Sequence, residues 1–394
     1  MLNVRMYPAQ NGDAFLVSSN GTNLLIDGGY AKTFNNHILS DLREKASKGE
    51  CLDLVIATHI DSDHILGLIR FLSQNGSSLQ PQIIPVKNIW HNSLRNLTAP
   101  CESIIVAEDL ELLKAINRRG HPTAETENAA NPKEISARQG STFSSLIHQG
   151  KYLWNGSDGT KSISLENIHN FSISGDNIRV LSPSKQRLED LLKSWKKDLQ
   201  KYGYKGTIGS GAIIDDAFEF SFEHRCETQK KDPTPVSGGR RKTLEEIYKP
   251  DDSPTNGSSI ATIVELGGAR LLMLADAWAE DIIEVLSQLK STGCSMMFDA
   301  IKISHHGSFH NTSPELLKLV DAPMYFISSN GNTHGHPDIE LLTAIVDRPA
   351  DFSRTLYFNY STPASNELID YKTQTGASFL VCENATDWIQ IQEN

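Results

Sequence analysis

The sequence predicts an α/β protein, and three features of its patterning carry that prediction. The opening residues alternate short apolar runs with turn dipeptides. Further on, short buried-strand runs alternate with amphipathic helices, and two apolar strands then flank a Gly267-Gly268 turn before the alternation resumes. With 394 residues and 39% hydrophobic content the chain can bury a sizeable core. It reads as a single domain over 1–394 with a polar insertion at about 203–256.

In chain order, Val4 to Tyr7, Ala14 to Ser18 and Asn23 to Ile26 read as strands of an antiparallel meander, broken at Asn11-Gly12 and Asn20-Gly21. A helix-like stretch near Phe34 to Lys48 leads to a short buried strand, Asp53 to Ala57. An amphipathic helix follows, with Ile65, Leu68, Ile69 and Leu72 on one face. Ile83 to Trp90 reads as a strand and Glu102 to Arg119 as a helix, whereas Gly120 to Gly159 is polar and gives no assignment. Ile178 to Leu181 is a strand before a helix near Leu188 to Tyr202. The insertion that follows is rich in Gly, Pro, Ser and charge and reads as an exposed loop. Order returns with the strands Ser259 to Leu266 and Arg270 to Leu274, then a helix, then the strand Ala300 to Ile303.

No stretch approaches the apolar length of a membrane span, so a cytoplasmic protein without membrane contact is expected. Five scattered cysteines, Cys51, Cys101, Cys226, Cys294 and Cys382, without a CxxC pair, suggest neither a disulfide framework nor a zinc knuckle. A net charge of -11 argues against a protein coated in basic surface, although it leaves room for a local basic groove.

The sharpest local signal is Thr58-His59-Ile60-Asp61-Ser62-Asp63-His64, where a buried strand runs into a helix. In an extended loop, residues two apart point the same way, so His59 and Asp61 can grip one cation. Asp63 and His64, in the first helical turn, can reach a second. The bland alternative is a polar helix start capped by Asp61 or Ser62. Asp276 follows the apolar run Leu272 to Ala275, where an unpaired carboxylate is costly unless a cation or donor meets it; its bland role is a helix cap. Ile303-Ser304-His305-His306-Gly307 is another strand running into a turn. Adjacent histidines face different ways, so one of His305 and His306 is the metal ligand and the residues alone do not choose which.

Gly12-Asp13-Ala14, Leu25-Ile26-Asp27-Gly28-Gly29, the His59 to His64 motif, Asn256-Gly257-Ser258-Ser259-Ile260, Ala275-Asp276, Ser304-His305-His306-Gly307-Ser308 and Gly335-His336-Pro337 occur in that order. In this the chain resembles the metallo-β-lactamase-fold hydrolases, in particular the branch with the C-terminal hydrolase domain of bacterial DNA-uptake channel proteins and the phosphorylcholine esterases. The resemblance implies an αββα sandwich of two facing mixed β-sheets with outer helices and the metals at one sheet edge. It makes His59 and Asp61 ligands of a first metal, Asp63 and His64 ligands of a second, and Asp276 the bridge. His305 or His306 supplies the late histidine, Asp27 orients a ligand from behind, and His336 sits by the leaving group. The wider family has a further first-metal histidine between the early motif and the bridging acid. Here His91 is the first candidate, ahead of His121, His148, His169 and His224.

Two divalent cations, zinc or manganese, would lower the pKa of a shared water towards neutrality, so that hydroxide and not a side chain is the nucleophile. Asp63, Asp276 and His336 form the expected catalytic set, with an acid accepting the proton and His336 steadying the leaving oxygen. No GxSxG, GxxxxGK[ST] or catalytic cysteine context competes. The resemblance points to phosphodiesters, nucleic acid first. Lys230, Lys231, Arg240, Arg241 and Lys242 are candidate backbone contacts, or else simply solvate the insertion. Trp90, Trp154 and Trp278 are read as core before base-stacking. Two other readings stand beside this one: hydrolysis of a small phosphodiester, lactone or ester, and a metal-containing binding or regulatory module.

Overall fold

The computed structural model describes residues 1–98, 105–119, 142–173, 175–208, 212–223, 242–332 and 335–391. The expected meander is present as β1 (Leu2–Met6), β2 (Phe15–Ser19) and β3 (Thr22–Ile26), paired antiparallel. β4 (Leu54–Ile56) and β5 (Ile89–Trp90) continue the sheet in parallel. A second sheet holds β6 (Asn170–Ile173), β7 (Asp176–Ser182), β8 (Ala261–Leu266), β9 (Ala269–Met273), β10 (Ala300–Lys302), β11 (Met324–Ile327), β12 (Arg354–Phe358) and β13 (Phe379–Cys382), in that spatial order. Its first four strands pair antiparallel and the rest, from β9 onward, parallel. β14 (Trp388–Ile391) returns to the first sheet, antiparallel to β1.

The two mixed sheets pack face to face. Val4, Val17, Leu24 and Ile56 of the first meet Val264, Leu271, Ala300 and Phe326 of the second in one buried layer. Alternate residues on the outer face of the first sheet, Leu16, Leu25, Val55 and Ile89, pack under the helices Ser62–Asn75, Phe143–Gln149, Lys185–Lys201 and Ala212–Glu223. On the second sheet Ile263, Leu272, Ile301 and Tyr325 lie under Ala279–Ser291, Pro314–Leu319 and Ile339–Val346. Helix, sheet, sheet and helix therefore stack in the expected order. Among the described residues no helix is long and apolar enough to cross a membrane.

Three local expectations change. Of Ile83 to Trp90 only the last two residues form a named strand, because Pro85 has no N–H to give and the amides of Ile83 and Ile84 bond to the Asn75 side chain. The stretch without an assignment contains the helix Phe143–Gln149, capped by Thr142 through the amide of Ser145. The segment read as an exposed insertion carries the helix Ala212–Glu223, where Ile214, Ala217 and Phe218 recur at helical spacing and are fully buried. Residues 224–241, with Lys230, Lys231, Arg240 and Arg241, lie outside the described residues; Lys242 is exposed. Trp90 and Trp154 are core residues, and Trp278 stacks under the Arg187 guanidinium, 4.2 Å from its ring centre.

Candidate metal centre

Parallel pairing of β3 with β4, and of β10 with β9 and β11, brings the carboxyl ends of these strands to one edge of the sandwich. Asp27 follows β3, His59 and Asp61 follow β4, Asp276 follows β9, and His305 and His306 follow β10. Asp13 enters from the start of β2, whose antiparallel register sets Phe15 opposite Ile26 and so puts Asp13 at the same edge. The backbone is held in the left-handed region at Asp27, Ala275, His305 and His306, with φ of 57°, 47°, 45° and 56°. Such conformations are unfavourable for residues with a Cβ and gather where a chain must aim side chains at a site.

The helix Ser62–Asn75 presents Asp63 and His64 from its first turn because it lies directly on the loop after β3. A Cβ on Gly67 would stand 1.9 Å from the Gly28 carbonyl oxygen, so only glycine allows that approach. The amide of Gly67 donates to Gly29 O, and that of Gly28 to His64 O, which fixes the helix start against the strand end.

Asp276 Oδ2 is the centre of the arrangement. It lies 3.9 Å from His59 Nε2, 3.6 Å from His64 Nε2, 3.8 Å from His305 Nε2 and 3.5 Å from His306 Nε2. Asp61 faces His59 at 3.6 Å, and Asp63 lies 3.6 Å from His306 and 3.9 Å from His64. One ligand atom each from Asp13, His64, Asp276 and His306, all buried, falls within 4.8 Å of the others. His59 Nε2 and His64 Nε2 are buried without a hydrogen bond, whereas Asp13 Oδ1 faces His306 Nδ1 at 3.4 Å and Asp276 Oδ1 faces Lys302 at 3.7 Å. Unpaired polar atoms cost free energy inside a protein, and their convergence here is what a cation resolves. The donor set of imidazole nitrogen and carboxylate oxygen fits a divalent metal.

The outer partners orient these donors. Asp27 accepts from the amide and hydroxyl of Thr58 and faces His64 Nδ1 at 2.8 Å, which leaves His64 Nε2 for the centre. His306 Nδ1 lies 3.0 Å from Ser328 O, and His305 Nδ1 2.7 Å from Asn311 Oδ1. Asn311 in turn donates to Asp276 O and Asp251, and Asn256 donates to Asp251. His336 stacks edge-on to His305 at 5.5 Å between ring centres and faces Asp338 Oδ2 at 3.1 Å. Asn11 donates to Asp63 at 2.9 Å.

Burial opposes charge on His64, yet Asp276, Asp27 and Asp63 together raise its pKa well above the ordinary value. His306 moves the same way, with Asp276 and Asp13 outweighing burial. At His305 burial prevails over Asp276 and lowers the pKa. Burial would protonate Asp276, but His306, His64 and His305 hold it well below the usual carboxylate range.

His59, Asp61, Asp63, His64, Asp276, His305 and His306 thus converge, with Asp27 behind them and His336 at the rim. His91 does not join them. It is buried in the helical layer over the first sheet, its Nε2 2.8 Å from Glu219 and its ring stacked on Trp154. His148 and His169 are exposed, and His121 and His224 lie outside the described residues. Two residues not among the expected ligands, Asp13 and Lys302, also lie at the site. Asp13 stood in the ordered motif Gly12-Asp13-Ala14, and Lys302 is a charge inside the strand run Ile301 to Ile303.

No curated protein matches the chain. Residues 7–78, the part that delivers Asp13, Asp27, His59, Asp61, Asp63 and His64, match the model of the metallo-beta-lactamase superfamily, whose members are mostly metal-dependent hydrolases.

Proposed function

We propose that this protein is a metal-dependent hydrolase of phosphodiesters, with nucleic acid as the first substrate class. The observation that carries the metal part is the convergence of Asp13, His64, Asp276 and His306 within 4.8 Å, with buried donor atoms left unpaired. His59 and Asp61 on one side of Asp276 and Asp63, His64 and His306 on the other would, with Asp276 itself, hold two ions, zinc or manganese. His305, less buried and fixed by Asn311, is the histidine that faces substrate. When bound, the ions supply Lewis acidity that activates water and polarises the phosphoryl oxygen. Asp276, at the centre of the donor set, would help hold the ions, and Asp63, held by Asn11, is the carboxylate that would orient water and receive its proton. His336, positioned by Asp338 beside His305, is placed at the rim to donate to the leaving oxygen. The phosphodiester assignment rests on the resemblance of the ordered motifs and on a donor set rich in carboxylate oxygen.

The test is incubation of the purified protein with plasmid, single-stranded DNA, RNA and bis-p-nitrophenyl phosphate in Mn²⁺, Zn²⁺ or EDTA. Metal-dependent cleavage, lost in Asp63→Ala and Asp276→Ala, is expected. Turnover that survives both substitutions would place the chemistry elsewhere. Turnover of a lactone or carboxylic ester with none of the phosphodiesters would replace the substrate class, and metal uptake without any turnover would leave a binding module.

A further inference from the structure

Lys302 occupies the middle strand of the parallel ladder β9-β10-β11, in an otherwise apolar run, and is 1% exposed. Strand alternation sends Ile301 to the outer helical layer and Lys302, like Ala300, to the layer between the sheets. Lysine is almost never fully buried unless paired. Here the ammonium contacts Asp13 Oδ2 on the opposite sheet, lies 3.7 Å from Asp276 Oδ1 and donates to Ala275 O at 2.9 Å. Each acid therefore divides its two oxygens. Asp276 turns Oδ1 to Lys302 and Oδ2 to the four histidines, while Asp13 turns Oδ2 to Lys302 and Oδ1 to His306 Nδ1, at 3.4 Å.

We propose that Lys302 is a resident counter-ion beneath the metal centre that lets Asp13 and Asp276 be buried, and the two sheets close, before any metal binds. This rests on the metal-centre reading above. The chain folds with both carboxylates already aimed, and the fixed positive charge opposes the incoming cations. The protein so trades metal affinity for a site that is formed in advance. Breaking a buried ion pair by removing one partner leaves an uncompensated charge, whereas removing both partners together does not. The two kinds of variant therefore separate a counter-ion from an ordinary packed side chain.

The decisive experiment compares wild type with Lys302→Met, recording melting temperature in EDTA and in saturating Mn²⁺, with Mn²⁺ affinity from calorimetry. Lys302→Met is expected to melt well below wild type in EDTA and to gain more from Mn²⁺ than wild type does. It should also bind Mn²⁺ at least about tenfold more tightly, because a like charge has gone from the site. An equal fall in both media with unchanged affinity would reduce Lys302 to packing, and weaker binding would make it an aligner of ligands; either overturns the proposal. Should Lys302→Met fail to fold, the double variant Lys302→Met with Asp13→Asn is expected to fold in EDTA, and its failure to do so overturns the proposal. Wild type that takes up neither Mn²⁺ nor Zn²⁺ would remove the metal-centre reading itself. The EDTA comparison of single and double variants tests the counter-ion role independently of that result.

Discussion

Two buried histidine-carboxylate groups lie in different layers of this molecule, and their contrast separates a site from a piece of core. At the sheet edge, His59 and His64 are buried, their Nε2 atoms make no hydrogen bond, and they converge with two more imidazoles on one oxygen of Asp276. In the helical layer, His91 is equally buried, but its Nε2 is met by Glu219. Glu219 is met in turn by the Ser144 amide, and the His91 ring is packed by Phe143 and Trp154. Burial of a histidine is common to both. Convergence of unpaired donors belongs to the first alone, and that is the arrangement a cation completes.

The contrast is broken most severely at Asp276. Asp276→Ala removes the shared oxygen, so metal-dependent turnover is expected to fall by at least about a thousandfold, with loss of metal from the purified protein by elemental analysis. His64→Ala should show the same metal loss, whereas His91→Ala should keep the wild-type metal content. If His91→Ala lost metal as His64→Ala does, the two regions would not be distinct.

The next effect in size lies in the helical layer. His91→Ala leaves Glu219 buried without its imidazole partner and opens a cavity, which should cost about 3 kcal/mol in urea unfolding. Its residual activity per folded molecule should stay close to wild type. An unchanged urea midpoint would mean that the pair does not support the core.

The smallest effect depends on pH. Asp215, on the same helix as Glu219, is pushed up to about 7 by burial and by the nearby Glu219 and Asp216 carboxylates. An acid whose folded pKa is raised binds its proton more tightly folded than unfolded. Its contribution therefore weakens stability progressively as pH rises from about 4 through about 7. Asp215→Asn should raise the melting temperature at pH 8 by roughly 3–5 °C and leave it nearly unchanged at pH 4. A gain of the same size at both pH values would remove the titration from the explanation.

Much of the first sheet was legible because meander turns and strand ends are local. Asn11-Gly12 and Asn20-Gly21 mark the breaks between β1, β2 and β3, and His59 to His64 announce themselves by spacing alone. The helix Ala212–Glu223 was hidden by its setting, since its apolar spacing of Ile214, Ala217 and Phe218 lies inside a stretch whose composition is polar. Glu219, which meets His91 in the core, lies 128 positions away in sequence and 2.8 Å away in space. No local pattern could supply that partner.

By itself the sequence determined the strands of the opening meander and the strand ends that carry His59, Asp276, His305 and His306, because periodicity and turn chemistry act over a few residues. The tertiary structure decided which of those acids and histidines meet. Register between β3 and β4 and between β9 and β10, and the closing of one sheet on the other, bring Asp13, His64, Asp276 and His306 together and set Lys302 beneath them. The meeting of Asp13 and His64 with Asp276, Lys302 and His306 joins residues more than two hundred positions apart, and its geometry is fixed by packing across the sandwich, which no short window of sequence contains.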